Sequence, residues 1–237
     1  MEKYTAVIIE PRIHNAWQFV LNNFLNNLDE RWDIMIVCGL LNKEYLIELI
    51  DTHFQNHKHR IRLELINIEN FTIEQYSQYM LCKESYNIIP TETFLIFQLD
   101  TLISNKYKDF IYDFIKYDYV GAPWSSDHKV GNGGLSLRKK SVILDVLDKY
   151  NPYEHNGYED SYYAKYITNK PTFEEAKLFS IETVFSEKSF GIHKCWNYLY
   201  PPQISEIAEY IPELPELIYL HTNGVPVRVT TFTYSPS

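Results

Sequence analysis

Apolar residues in the first hundred positions alternate between two periods. Short runs rich in β-branched and aromatic residues, Thr5 to Ile9, Asp33 to Cys38, Ile61 to Ile66 and Thr93 to Phe97, read as strands. Between the first two, Trp17, Val20, Leu21, Phe24, Leu25 and Leu28 recur at spacings of three and four and predict one apolar helix stripe. Leu46, Leu49, Ile50 and Phe54 predict a second, and a third helix is expected near Thr72 to Ser85 with Thr72 as its cap. Strands alternating with helices predict an α/β sheet with helices packed on it.

Beyond Phe97 the pattern loosens. Tyr107, Phe110, Ile111 and Phe114 mark one helix and Val142, Ile143, Val146 and Leu147 another, with the irregular YDYVGAPW and the glycine-rich VGNGGLSLR between them. The second half therefore reads as a smaller, loop-rich side built onto the same sheet. From Pro201 to Ser237, prolines at 201, 202, 212, 215 and 226 predict an extended tail or a short helix wrapped over the domain. No internal repeat or low-complexity linker divides the chain, so residues 1–200 are expected to form one domain and 201–237 an extension packed on it.

With 237 residues and 45% hydrophobic content, the chain is long enough to bury a sizeable core. Cys38, Cys82 and Cys195 are too few and too far apart for a disulfide framework, and each reads as a small buried hydrophobe in a reducing compartment. The longest apolar run, Ile34 to Leu41, is too short to span a bilayer, and Met1 to Glu10 carries no cleavable signal. These features predict a soluble, cytoplasmic protein. A formal charge of -9 without a Lys/Arg cluster argues against a nucleic-acid groove. The same acidity means that a phosphorylated ligand needs a bound cation or a local basic side chain to reverse the field.

In open α/β sheets the ligand crevice lies beyond the carboxyl ends of the strands, so Glu10, Pro11, Arg12, Gly39 and Asp100 are expected to face one cleft. Asp100 ends the apolar FLIFQLD run, where an acid is rigidly held yet open to a metal, although an isolated Asp there also serves as a turn cap. Sugar transferases commonly carry Asp at both ends of a three-residue unit; here it is Gln98, Leu99, Asp100. Gly131, Asn132, Gly133 and Gly134 form a turn that lets backbone approach a ligand, with Asn132 suited to left-handed geometry; a plain hairpin turn is the alternative. Arg138 suits a phosphate or a structural ion pair. Glu159 and Asp160 open a helix, one expected to cap it and the other to serve as general base. His193 and its neighbour Lys194, expected on a turn, offer a metal or phosphate ligand and a positive charge. Trp124 is a candidate sugar platform or a core residue. His53 and His57, spaced as neighbours on a helix face, form a possible zinc pair but lack a recognisable third ligand and are read as solvated.

YTAVIIEPR, FLIFQLDT, YDYVGAPW, VGNGGLSLRKKS, the Glu159–Asp160 pair and SFGIHKCW together resemble the glycosyltransferase-like family of large DNA viruses, bacteria and fungi that was catalogued as a domain of unknown function. The resemblance runs from about Tyr4 to Trp196 and implies a GT-A fold, a Rossmann-like mixed sheet flanked by helices, with 1–100 as the nucleotide-binding half and 101–200 as the acceptor half. It implies transfer of a sugar from a nucleotide sugar, UDP-linked by preference, to a glycan or other hydroxyl acceptor, by inversion and with Mn2+ or Mg2+. Asp100 and His193 would be metal ligands and Asp160, with Glu159, catalytic. Glu10, Pro11, Arg12, Gln98, Asp100, Gly133, Gly134 and Lys194 would bind the donor, and Trp124 and Asn132 the acceptor. In a viral setting the protein would sit in the host cytoplasm or the virion. Leu99 and Thr101 stand where Thr and Ser are expected, and Gln98 replaces the first acid. The alternatives are a catalytically silent nucleotide-sugar or glycan-binding protein, and a phosphoesterase using Asp100, Glu159 and His193, which requires a paired-metal carboxylate cluster that the sequence does not display.

Overall fold

The computed structural model describes residues 2–126 and 128–222. Its main sheet holds β1 (Tyr4–Ile9), β2 (Trp32–Cys38), β3 (Ile61–Leu65), β4 (Thr93–Ile96), β6 (Tyr119–Val120) and β7 (Ser136–Lys139), in the order β3-β2-β1-β4-β7-β6. β1 runs parallel to both β2 and β4, and β2 to β3, whereas β7 is antiparallel to β4 and β6. A smaller sheet is ordered β5 (Thr101–Ile103), β9 (Gly191–His193), β8 (Ser180–Ile181).

The central strands are continuous hydrophobic runs because both faces are covered. On one face Ala6, Ile8, Ile34 and Ile36 pack with the Trp17–Asn27 helix, whose stripe from Trp17 to Leu28 is fully withdrawn from water. On the other, Val7, Ile9, Met35 and Val37 meet Met80, Tyr86, Ile143 and Tyr163. Burying a large apolar side chain contributes about 1.5–3 kcal/mol, so two filled layers hold the strand ends rigid at the cleft. Thr72 caps Ile73–Tyr79 through a reciprocal box with Gln75; that helix stops at Tyr79, and a short one, Lys83–Asn87, follows.

Two expectations are corrected. His53 ends the Lys43–His53 helix while His57 lies in a separate 3-10 turn, Gln55–Arg60, so they share no helix face. His193 lies within β9 rather than on a turn, paired across the sheet with Thr101. Of the two forms expected from Pro201 onward, an extended tail or a short helix, the described part takes the helical one, as two helices, Pro201–Tyr210 and Leu214–Thr222. Proline is tolerated in a first helical turn, where the amide has no partner, and Pro201 and Pro202 sit there. Ile207, Tyr210, Ile211, Leu214 and Leu217 from these helices complete the larger apolar core. Pro226 lies outside the described residues. Among those residues, no helix is long and apolar enough to cross a membrane.

Candidate functional site

A cleft of about 630 Å3 opens at the carboxyl ends of β1 and β4, walled by Glu10, Pro11, Arg12, Gln98, Asp100, Glu182, His193, Lys194 and His221. Asn42 holds its first wall: the buried side chain accepts from the Gly39 amide (2.9 Å) and donates to the carbonyls of Glu10 (2.8 Å) and Arg12 (3.0 Å). Gly39 itself is packed behind Pro11, not among the lining residues. The Glu10 carboxylate accepts from the Arg12 amide (2.9 Å) and from its guanidinium (2.8 and 2.6 Å), and this pairing holds Arg12 more firmly charged.

Asp100 and His193 meet because β5 begins beside one and β9 ends on the other. The Lys194 amide donates to the Asp100 carbonyl (2.9 Å), and Lys194 turns the chain with a left-handed φ of 47°. His193 Nε2 lies 3.4 Å from Asp100 Oδ1, and Nδ1 lies 3.2 Å from Glu182 Oε1. Burial works against the imidazolium, but the flanking Asp100 and Glu182 carboxylates prevail and raise its pKa to about 10. For Asp100, burial pushes upward and His193, then Lys194, pull harder, bringing the carboxyl to about 2.

Beyond these ion-pair contacts, Asp100 Oδ1 and His193 Nδ1 are buried and make no further hydrogen bond among the described residues. A carboxylate oxygen beside an imidazole nitrogen, with a second carboxylate behind the ring, is the donor set of a carboxylate–histidine metal site. Among the described residues no group of three His, Cys, Asp or Glu encloses a cation. Asp100 and His193 supply two donors at most, so a cation such as Mg2+ or Mn2+ held there would have to take its other oxygens from water and substrate phosphate.

The glycine loop touches this pair from behind. A Cβ on Gly134 would fall 2.5 Å from His193 Cδ2, and one on Gly133 would fall 2.6 Å from Glu159 Oε1 and 3.1 Å from Asp160 Cβ. Both glycines thus make room for the protein's own side chains, which corrects the expectation that they leave space for a ligand. Gly131, with φ of 148°, is the left-handed residue, not Asn132. Asn132 is buried, its Oδ1 accepting from the Gly134 amide (3.0 Å), which removes it from acceptor contact.

Glu159 is likewise withdrawn from catalysis. It is buried against Arg138, with Arg138 Nη2 to Oε1 and Nη1 to Oε2 both at 3.2 Å. The guanidinium is 0% exposed and lies over the Tyr119 and Tyr163 rings, so the pair joins the start of the Glu159–Tyr166 helix to β7. Asp160 is half-buried and accepts from the Ser161 amide (2.7 Å) and more weakly from Gly133 (3.4 Å). Burial raises its pKa against those two amides, and Glu182 adds repulsion. Asp160 is not among the residues lining the cleft, though the next two links, Gly133 and Gly134, reach His193. Trp124 is half-buried beside Gly131 and also off the cleft; Thr183, next to Glu182, braces that loop by accepting from the Ser125 amide and donating to the Pro123 carbonyl.

Sequence reasoning missed Glu182, Asn42, Tyr76 and His221. Glu182 sits inside FSIETVF as one charged residue in an apolar run, the signal by which it was detectable. Tyr76 lines the cleft with a buried hydroxyl lacking a partner among the described residues. His221 reaches the Leu99 carbonyl (2.8 Å) and packs at a tilt of 32° against His14, 4.6 Å between ring centres.

The fold matches solved glycosyltransferase structures. The galactosyltransferase LgtC, in complex with donor and acceptor sugar analogues, aligns with a TM-score of 0.58 and 10% identity, over 94% of this chain and 97% of that one. The apo form of the glycosyltransferase GlyE of Streptococcus pneumoniae TIGR4 aligns with a TM-score of 0.54 and 9% identity, over 94% of this chain and 64% of that one. At such identities the likeness shows the fold: a GT-A-type mixed sheet flanked by helices. The probable dolichyl-phosphate-mannose--protein mannosyltransferase 7 of Saccharomyces cerevisiae is 29% identical over 170 residues, 68% of this chain. The match spans only 23% of that protein's length. The profile of the family described as "protein of unknown function (DUF5672)" matches residues 60–193, more than half of the chain, and the chain belongs to that family.

Proposed function

We propose that the protein is a glycosyltransferase that moves a sugar from a nucleotide sugar, UDP-linked by preference, to a hydroxyl of a glycan. The observation that carries this reading is the approach of Asp100 and His193 in a cleft that also holds Arg12 and Lys194. In an acidic protein, this is where a diphosphate finds opposite charge. The GT-A-type fold and the mannosyltransferase relative support the same class of reaction.

The reaction is a single displacement. Asp160 accepts the proton of the acceptor hydroxyl as its oxygen bonds to the anomeric carbon, and the bond from that carbon to the diphosphate oxygen breaks. The electron pair leaves with the nucleoside diphosphate, and inversion follows from attack opposite the leaving group. Burial suits Asp160 to this role, since a raised carboxyl pKa makes it a stronger base. Arg12 and Lys194 orient the phosphates, and Glu182 holds the His193 ring. A manganese or magnesium ion held by Asp100 and His193 would neutralise charge on the leaving diphosphate.

A thermal-shift screen of UDP-, GDP- and dTDP-sugars with and without Mn2+, followed by transfer assays, tests the reading. Asp160→Asn is expected to lose about a hundred- to ten-thousand-fold in rate with the fold intact. Asp100→Ala is expected to lose the Mn2+-dependent shift. Unchanged activity in both folded variants overturns the assignment. A second reading, a silent nucleotide-sugar-binding protein, is favoured by Gln98 in place of an acid and by Asp160 lying off the cleft lining. Donor binding without hydrolysis or transfer over a broad acceptor panel would establish it.

A further inference from the structure

A second groove, of about 760 Å3, runs between the Ile73–Tyr79 helix and residues 152–158, and it shares Asn70 and Phe71 with the donor cleft. We propose that this groove binds the acceptor as a neutral oligosaccharide end, an inference that rests on the transferase reading and names the substrate class for it.

Continuity comes first. Phe71 packs on Tyr76, which faces the donor cleft, at 6.3 Å between ring centres, and on Tyr79, which faces the groove, at 5.4 Å. The groove also reaches the start of the Asp160 helix: Ser77, in its lining, accepts from the Glu159 amide (2.8 Å). His155, also lining it, sits 2.8 Å from Ser161 Oγ, and the Ser161 amide donates to Asp160 Oδ1 (2.7 Å). The groove thus joins the donor cleft through Asn70 and Phe71 and touches the start of the helix that carries the proposed base through Ser77 and His155.

Chemistry comes second. Tyr153 is 89% exposed and Tyr158 50% exposed, large aromatic faces left in water at the rim. Such faces stack on the apolar face of a sugar ring, and the carboxamides of Gln78 and Asn156 offer both donors and acceptors to hydroxyls. The lining includes no Lys or Arg and one carboxylate, Glu74, whereas the donor cleft carries Arg12 and Lys194 among the carboxylates of Glu10, Asp100 and Glu182. A phosphorylated or sulfated glycan would meet that carboxylate without a compensating Lys or Arg, so the fit is to neutral sugars.

Cys82 supplies a reporter, since it lines the groove half-buried while Cys38 and Cys195 are buried. Alkylation of Cys82 by iodoacetamide is followed by mass spectrometry with mannotriose, maltotriose or chitotriose present. At least one trisaccharide should slow it, about threefold at two-thirds occupancy by mass action, while UDP alone should not. Tyr153→Ala, at an exposed position that the fold does not depend on, should weaken the sugar affinity about tenfold, so that the same sugar concentration slows alkylation only about 1.2-fold, and raise acceptor KM while leaving the UDP thermal shift unchanged. Absence of protection by all three sugars, or equal protection in Tyr153→Ala, overturns the proposal. Failure of the donor reading is separate: it would appear as no thermal shift with any nucleotide sugar.

Discussion

Replacing Gly134 with Ala tests whether the His193 position sets activity. Gly134 is not among the left-handed positions, so the backbone accepts an L side chain there. The added methyl would lie 2.5 Å from His193 Cδ2, and closer to Cε1 and Nε2, whereas ordinary contact begins at 3.4 Å. Ring or loop must therefore give by about 1 Å. The ring has little freedom, because β9 fixes its backbone and Glu182 and Asp100 flank its two nitrogens at 3.2 and 3.4 Å. A misplacement of about 1 Å in a catalytic constellation costs roughly a hundredfold in rate, and overpacking costs about 1–3 kcal/mol of stability. In a chain of this size that stability loss lowers Tm by roughly 2–12 °C. The assay is kcat/KM for transfer, with Mn2+ titration and Tm in parallel. The double variant Gly134→Ala/His193→Ala, in which the clashing ring is gone, should match His193→Ala in Tm, because the added methyl then costs nothing, and should not regain activity. A folded Gly134→Ala protein with wild-type activity and unchanged Mn2+ dependence refutes the reasoning.

The pH dependence of the same cluster has a definite sign. The folded pKa of His193, about 10, exceeds its ordinary 6.5, so its contribution to stability is complete below about pH 6.5 and is lost as pH rises through about 10. Glu182→Gln should shift that loss to lower pH, read by thermal unfolding of metal-free protein across the range. Cation binding has to displace this proton, so Mn2+ affinity should rise about tenfold per pH unit between 6.5 and 10; calorimetry in buffers of different ionisation enthalpy, showing no proton release, would contradict it. Arg138→Met should cost about 3–5 kcal/mol in urea unfolding by stranding Glu159, and Arg138→Met/Glu159→Gln should recover much of it. Asn42→Ala deprives the amide of Gly39 and the carbonyls of Glu10 and Arg12 of their buried partner, so a loss of about 2–3 kcal/mol and weaker UDP binding are expected.

The first half of the fold was legible because local signals and tertiary fate agree there. Trp17 to Leu28 keeps a helical period and buries that stripe, and Thr72 displays its capping box with Gln75 in sequence. That Glu10 and Asp100 share one cleft followed from geometry alone, since both lie beyond the carboxyl ends of neighbouring parallel strands. What depends on distant pairing was not readable. Glu159 and Asp160 are adjacent acids with similar sequence surroundings, and only the approach of Arg138 separates their environments. His193 looked like a turn residue because Gly191 precedes it, yet pairing with Thr101 makes it a strand. The glycines 133 and 134 were visible, but the side chains that fill the space beside them come from 26 and 59 residues further along, counting from Gly133 to Glu159 and from Gly134 to His193.

His221 closing against the Leu99 carbonyl and the ring of His14 has a consequence for biosynthesis. The cleft draws walls from positions near 10, 100, 193 and 221, so its assembly waits for some of the longest sequence separations in the molecule. A nascent polypeptide halted near residue 200 can pair its central strands but still lacks the Leu214–Thr222 helix, so the cleft is complete only after that helix has emerged and docked.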